Sequence, residues 1–282
     1  MLAATAGSSE GRVVTESLGS ESTQGPALDT NTPHTARIWN YWLGGKDNFA
    51  ADRAVGDQVT AAFPHVGLYA QLSRAYLTRA VAFLAGEVGI RQFLDVGTGL
   101  PTADNTHEVA QRIAPDSKIV YVDNDPLVLA HARALLTSSS QGTTTYIDAD
   151  LHDPEAILER AGKTLDFAQP VALLMMGVLG HVEDDAEAKA IVDAFLSRLP
   201  SGSYFAIYDG ADTIKEITDN LALWNDNVPL KYHLRSPERM AALFDGLELV
   251  EPGVVPVTRW RPDAAAAAAD EIAQFAAVGR KR

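Results

Sequence analysis

The sequence predicts an α/β protein built on a mostly parallel sheet. Five short apolar runs, at 92–97, 118–124, 144–150, 171–178 and 203–210, are each followed by a segment of helical length. Near-continuous apolar strands alternating with helices are the pattern of a parallel sheet covered on both faces. Each run also gives way to Gly, Asp or Asn at its carboxyl end, the edge where such sheets bind ligands.

The elements follow in order. Residues 1–31 are rich in Ala, Gly, Ser, Thr and Glu, with too few apolar groups to offset ordering entropy, and are expected to be a disordered tail. They lack the basic start and apolar stretch of a secretory signal. Residues 32–90 read as a helical extension: Ile38 and Trp42 lie four apart, as do Trp39 and Leu43, and Val55, Val59 and Phe63 keep that interval. Pro64 breaks the pattern, and a long helix over 68–84 leads into the core. The core is expected over 91–262, with helices near 103–113, 126–136, 154–161, 185–199 and 212–225. Ser236 and Pro237 start a further helix as N-cap and first turn. The apolar runs 247–250 and 254–260 are separated by only Glu251-Pro252-Gly253, which predicts a terminal antiparallel hairpin. Residues 263–282 are expected to be a short C-terminal helix and tail.

Bulk properties narrow the function. A formal net charge of −14 repels phosphate backbones, so nucleic acid is not an expected partner. No apolar run reaches the ~18 residues that span a bilayer, so no membrane partner is expected. The absence of cysteine excludes disulfides, thiolate zinc sites and a Cys nucleophile, and it fits a cytoplasmic location. No His and acid spacing forms a metal motif, so no metal is expected.

The strongest local signal is "FLDVGTGLPTADN", a strand ending at Asp95 followed by Gly97, Thr98 and Gly99. Glycines there allow a tight turn and close ligand approach. Thr102 stands where a dinucleotide fingerprint wants its third Gly, and Asp95 beside the turn suits a cationic amine better than a pyrophosphate. Asp123 ends the second strand, where a ribose-binding acid is expected; Asp125 already serves as N-cap of the next helix. Asp150 after the third strand suits an adenine amino group, with Leu151 flanking the ring, or else loop solvation. Met176 and Gly177 lie at the ligand edge of the fourth strand, and His181 beyond them is either a general base or a hydrogen-bonded structural residue.

Together, "DVGTG", Asp123, "DADL", "GVLGHV" and the terminal hairpin resemble class I S-adenosylmethionine-dependent methyltransferases. More narrowly, "ARIWNYWLGGKDNFAADR", "LDVGTGLPTADNTHEVAQ", "VYVDNDPLVLAHARALL" and "GLELVEPGVVPVTRW" resemble an actinobacterial methyltransferase family formerly catalogued as a domain of unknown function. The resemblance implies a Rossmann-like, seven-stranded, mostly parallel sheet, S-adenosylmethionine as cofactor and a small-molecule acceptor. It implies that Gly97 and Gly99 approach the methionine portion and ribose, Asp95 the ammonium and Asp123 the ribose hydroxyls. Asn124 and Asp150 would meet the adenine, Leu151 and Gly177 would line the pocket, and Arg74 would pair with the methionine carboxylate. His181, Tyr208 and Asp209 are candidates near the methyl acceptor.

The stretch "RIWNYWLGGKDNFAAD" lacks P-loop spacing and follows a helix, so it is no phosphate loop. A glycine C-cap explains Gly44 and Gly45. Tyr41, Lys46 and Asp47 are expected to belong to a lid that closes the site and shapes the acceptor pocket. A cofactor-binding regulator without transferase activity and a nicotinamide-dependent oxidoreductase are the competing functions.

Overall fold

The computed structural model describes residues 13–15, 29–128 and 139–282. Most of the expected tail over 1–31, and the expected helix at 126–136 beyond Val128, lie outside the described residues.

The strands are β1 (Val13–Thr15), β2 (Gln92–Val96), β3 (Lys118–Asp123), β4 (Thr143–Asp148), β5 (Ala172–Met176), β6 (Tyr204–Gly210), β7 (Leu247–Leu249), β8 (Val255–Pro256) and β9 (Gln274–Lys281). They form one sheet in the order β1-β4-β3-β2-β5-β6-β9-β7, with β8 also paired to β9. The first six are parallel. β9 runs antiparallel to β6, β7 and β8. This is the mostly parallel α/β sheet that the sequence predicts.

The terminal hairpin is not the one expected. Residues 247–249 and 255–256 do not pair with each other; each pairs with β9. β9 occupies the stretch read as a C-terminal helix and tail; together with β1, which lies in the stretch read as a disordered tail, it raises the sheet from the seven strands expected to nine among the described residues. Its sequence, QFAAVGRK, is rich in small residues with weak strand propensity and follows an Ala run, so it carries little local strand signal. Tertiary burial decides instead: Ala276, Ala277 and Val278 are buried in the sheet interior. Gly279 has no side chain because a Cβ there would lie 2.6 Å from Phe244 Cδ1. The short helix α9 (Ala264–Ala268) does form, ahead of the strand.

Helices cover both faces, and alternation along the strands feeds two cores. Phe93 of β2 packs with Tyr76 and Leu77 of α3 (Val66–Ala82) and with Val109 and Ala110 of α4 (Thr106–Ile113). Leu94 turns the other way, toward Ile157 of α5 (Pro154–Ala161) and Phe195 of α6 (Asp185–Arg198). α7 (Lys215–Asn227) follows β6 and has no buried residue, and α8 (Pro237–Ala242) precedes β7.

The extension adds α1 (Thr35–Trp42) and α2 (Ala50–Ala62) above the sheet edge. An ion pair locks the two together. Arg37 Nε donates to Asp52 Oδ1 at 3.2 Å, and Asp52 Oδ1 also accepts the His34 N–H at 2.9 Å. Asp52 Oδ2 caps α2 by accepting the Phe49 N–H at 2.8 Å. The Arg37 guanidinium gathers the chain further by donating to the Asp29 and Thr32 carbonyls. Among the described residues no helix is long and apolar enough to cross a membrane.

Candidate functional site

A cavity of about 320 Å³ lies at the carboxyl edge of the sheet. The ends of β2 to β6 supply one part of its wall, and α1, α2, α3, α7 and the segment 230–234 supply most of the rest.

The glycine turn after β2 is built by backbone geometry. Gly97 and Gly99 adopt φ +74 and +66, the left-handed region that a Cβ disfavours. The N–H groups of Gly97 and Thr98 donate to the Val122 carbonyl at 2.8 and 3.2 Å, fastening the turn to β3. Asp123 holds it from the other side, accepting the Gly99 N–H at Oδ2 (2.7 Å) and the Asp125 N–H at Oδ1 (3.0 Å). Asp125 caps the helix beginning at Pro126 by accepting the Leu127 N–H at 2.8 Å, and its Oδ2 lies 3.0 Å from His34 Nδ1. The extension thus reaches the loop beside Asp123. At Gly177, with φ +76, a Cβ would sit 2.9 Å from Tyr208 Cε2.

The acids at this end are electrostatically distinctive. Burial pushes the Asp95 carboxyl up to about 6, although the Thr106 hydroxyl donates to it at 2.6 Å. Burial also raises Asp123. Two carboxylates that cost free energy to ionise favour a cationic ligand beside them. Asp150 is more open. Burial pushes its carboxyl up, but the backbone and ring nitrogens of His152, at 2.9 and 2.6 Å, hold it below the usual range. Asn124 Nδ2 donates to Asp150 Oδ2 at 3.4 Å. Arg74 reaches across from α3, donating to the Ala103 carbonyl at 3.1 Å and to Asn105 Oδ1 at 2.7 Å.

These residues fit S-adenosylmethionine. Asp95 and Asp123 put two acidic side chains in the cavity wall, the charge that suits an ammonium and a sulfonium. A Cβ at Gly99 would meet no heavy atom within 4 Å, so the turn leaves open space for a close approach. Thr102 Oγ1, in the cavity wall, is buried without a hydrogen-bond partner among the described residues.

All ten residues expected at the cofactor line this cavity: Arg74, Asp95, Gly97, Thr98, Gly99, Asp123, Asn124, Asp150, Leu151 and Gly177. The remaining candidates divide. His181 and Tyr208 line it and Asp209 does not. Asp209 is buried, accepts the Gly180 N–H at 3.2 Å and the Tyr232 hydroxyl, and is pushed up to about 6 by burial. Tyr41, Lys46 and Asp47 also lie outside the lining. Tyr41 points at α2, its hydroxyl donating to Asp57 Oδ1 at 2.7 Å. The Asp47 N–H donates to Asn40 Oδ1 at 3.1 Å, and Lys46 is exposed. Helical phase explains the exchange: Trp39, Trp42 and Leu43, at i, i+3 and i+4, take the cavity face that excludes Tyr41.

Sequence reasoning missed the far wall. Ile217, Leu221 and Trp224 of α7, together with Tyr232, line the cavity opposite α1. Trp224 meets Trp42 with ring centroids 5.5 Å apart. The interval of four and then three from Ile217 was the available signal.

Among the described residues no group of three or more His, Asp or Glu could hold a metal ion.

Comparison with known proteins agrees with the cavity chemistry. The family model described as S-adenosyl methyltransferase matches residues 21–282. A DUF574 family protein from Streptomyces avermitilis is 43% identical, with 90% of this chain and 99% of that one covered and a TM-score of 0.87. A candidate methyltransferase from Thermobifida fusca is 40% identical, with 91% and 98% covered and a TM-score of 0.83. A magnesium protoporphyrin IX methyltransferase from Synechocystis, solved with SAH bound, shares the fold at 12% identity, with 87% and 93% covered and a TM-score of 0.52. No curated protein matches.

Proposed function

The chain belongs to the S-adenosyl methyltransferase family, and from that premise we propose that it transfers the sulfonium methyl of S-adenosylmethionine to a small-molecule acceptor. The observation that carries this reading is the Asp123 carboxylate, clamped to the Gly99 N–H at the cavity wall beside buried Asp95.

The bound cofactor supplies an already activated methyl group, so the protein has mainly to orient the acceptor and exclude water. Asp123 accepts from the ribose hydroxyls and Asp95 faces the ammonium. Arg74 keeps further N–H donors for the methionine carboxylate. Asp150, Asn124 and Leu151 hold the adenine, and Gly97, Thr98, Gly99 and Gly177 leave room for close approach.

His181 is the proton acceptor in this reading. Its Nδ1 lies 2.7 Å from the Lys231 carbonyl, which can only accept, so Nδ1 carries the proton and Nε2 keeps a lone pair. Burial holds the imidazole below its ordinary pKa, which keeps it neutral. Tyr208 is the poorer base, because burial pushes its phenol well up.

Calorimetry tests the reading. S-adenosylmethionine and S-adenosylhomocysteine should bind and NAD should not; the reverse would overturn it in favour of an oxidoreductase. A regulator would bind the cofactor tightly yet methylate nothing across a broad acceptor panel.

A further inference from the structure

The α1–α7 end of the cavity differs in character from the strand-edge end. The charged side chains lining the whole cavity, histidines aside, are Arg74, Asp95, Asp123 and Asp150, and all four stand at the cofactor end. The other end is walled by Trp39, Trp42, Leu221, Trp224 and Tyr232. Trp39 and Trp42 pack edge to face at 5.9 Å, and Trp42 meets Trp224 at an interplanar angle of 39°. Flat apolar walls of this kind select a flat apolar ligand, since ring faces stack on ring faces.

Asn40, Asn220 and the Tyr232 hydroxyl at this end are already hydrogen-bonded within the protein, and two further polar groups interrupt the apolar wall. His181 packs edge to face on Tyr232 at 5.1 Å, and its Nε2 is a hydrogen-bond acceptor. The Trp224 Nε1–H is buried and has no partner among the described residues. One acceptor and one unmatched donor are what a hydroxyl group satisfies, because it can donate and accept at once. A carboxylate or phosphate would find no cation at this end. An ammonium would find no carboxylate there, Asp209 being behind the Tyr232 hydroxyl.

We infer that this end of the cavity binds an uncharged planar aromatic compound bearing a hydroxyl group, and that this hydroxyl is the methyl acceptor. The inference rests on the cofactor reading above. His181 Nε2 takes the hydroxyl proton as the oxygen lone pair forms the O–C bond; the pair of the broken C–S bond stays on sulfur, which becomes a neutral thioether.

Calorimetry with the full chain saturated with S-adenosylhomocysteine, using 2-naphthol as probe, tests this. Binding of 2-naphthol is expected, at least tenfold tighter than that of naphthalene, 2-naphthoate or the 2-naphthylmethyl ammonium ion. Trp224→Ala should weaken 2-naphthol at least tenfold. Trp224→Phe, which keeps a ring and loses the N–H, should weaken it less and narrow the preference over naphthalene. S-adenosylhomocysteine affinity, unchanged in both variants, reports that they fold. Equal binding of the charged probes, or no loss in folded Trp224→Ala, would overturn the inference. If S-adenosylhomocysteine itself failed to bind the native chain, the cofactor reading would fall first.

Discussion

Gly99 donates its backbone N–H to Asp123 Oδ2 at 2.7 Å, so the glycine turn after β2 and the end of β3 form one hydrogen-bonded unit. Asp123→Ala removes the acceptor for the Gly99 and Asp125 N–H groups as well as the proposed ribose ligand. Affinity for S-adenosylhomocysteine should fall by about 1–3 kcal/mol, the range for leaving polar partners unpaired. Unchanged affinity in a folded variant, measured by calorimetry, would remove Asp123 from the site.

The two glycines of that turn should respond differently to alanine. At Gly97 a Cβ would lie 2.3 Å from Val178 Cγ2 in a left-handed conformation, so Gly97→Ala should destabilise the fold by roughly 2–4 kcal/mol in urea unfolding. At Gly99 nothing lies within 4 Å, so Gly99→Ala should cost only the conformational strain, about 1–2 kcal/mol, while weakening cofactor binding. Equal stability losses would contradict the distinction.

Protonation of Asp95 should couple to the cofactor. Its pKa is raised from 3.8 to about 6, so between these values the folded chain holds a proton that the unfolded chain has released. Stability of the free protein should therefore fall as pH rises across that window and stay reduced above it. Asp209, also raised to about 6, adds in the same direction. An ammonium group beside Asp95 needs it ionised, so affinity for S-adenosylhomocysteine should drop about tenfold from pH 7 to pH 5. Asp95→Asn should flatten that profile, whereas a profile that keeps its slope in the variant would assign it to another group.

The methyl-transfer rate should show a different acid limb. His181 is held below its ordinary pKa of 6.5 by burial, so it stays neutral through pH 7 and loses function only below 6.5. With 2-naphthol as acceptor, His181→Gln should lower kcat by about 10²–10⁴-fold with little change in KM. A loss confined to KM would make His181 a binding group only.

The extension should detach when its ion pair is broken. Asp52→Ala leaves the buried Arg37 guanidinium without its carboxylate and removes the α2 cap, at an expected cost of about 3–5 kcal/mol. Hydrogen exchange should quicken over residues 35–62 and leave β2 to β5 protected. Uniform quickening would mean that the extension and the sheet unfold together.

Much of this architecture could be read along the chain. β2, β3, β5 and β6 were legible because strands buried on both faces must be apolar almost without interruption. The strand-edge wall of the cavity was legible because strand ends fix where Asp95, Asp123 and Gly177 stand. The opposite wall was not. Trp42 and Trp224 are 182 positions apart in sequence, and only the folded sheet brings α1 over α7. Tyr41 drew attention as a polar aromatic beside a glycine pair, yet one step along a helix turns a side chain by about 100°. β9 stayed hidden because its small residues gain strand character from neighbours that local sequence does not reveal.

That strand has a consequence for biosynthesis. β9 lies between β6 and β7 but leaves the ribosome after both. Until residues 274–281 emerge, β6 presents an open row of amides and carbonyls to the crowded cell, and β7 and β8 have nothing to pair with. Loss of these few residues would take away an interior plank of the sheet and leave a long sticky edge.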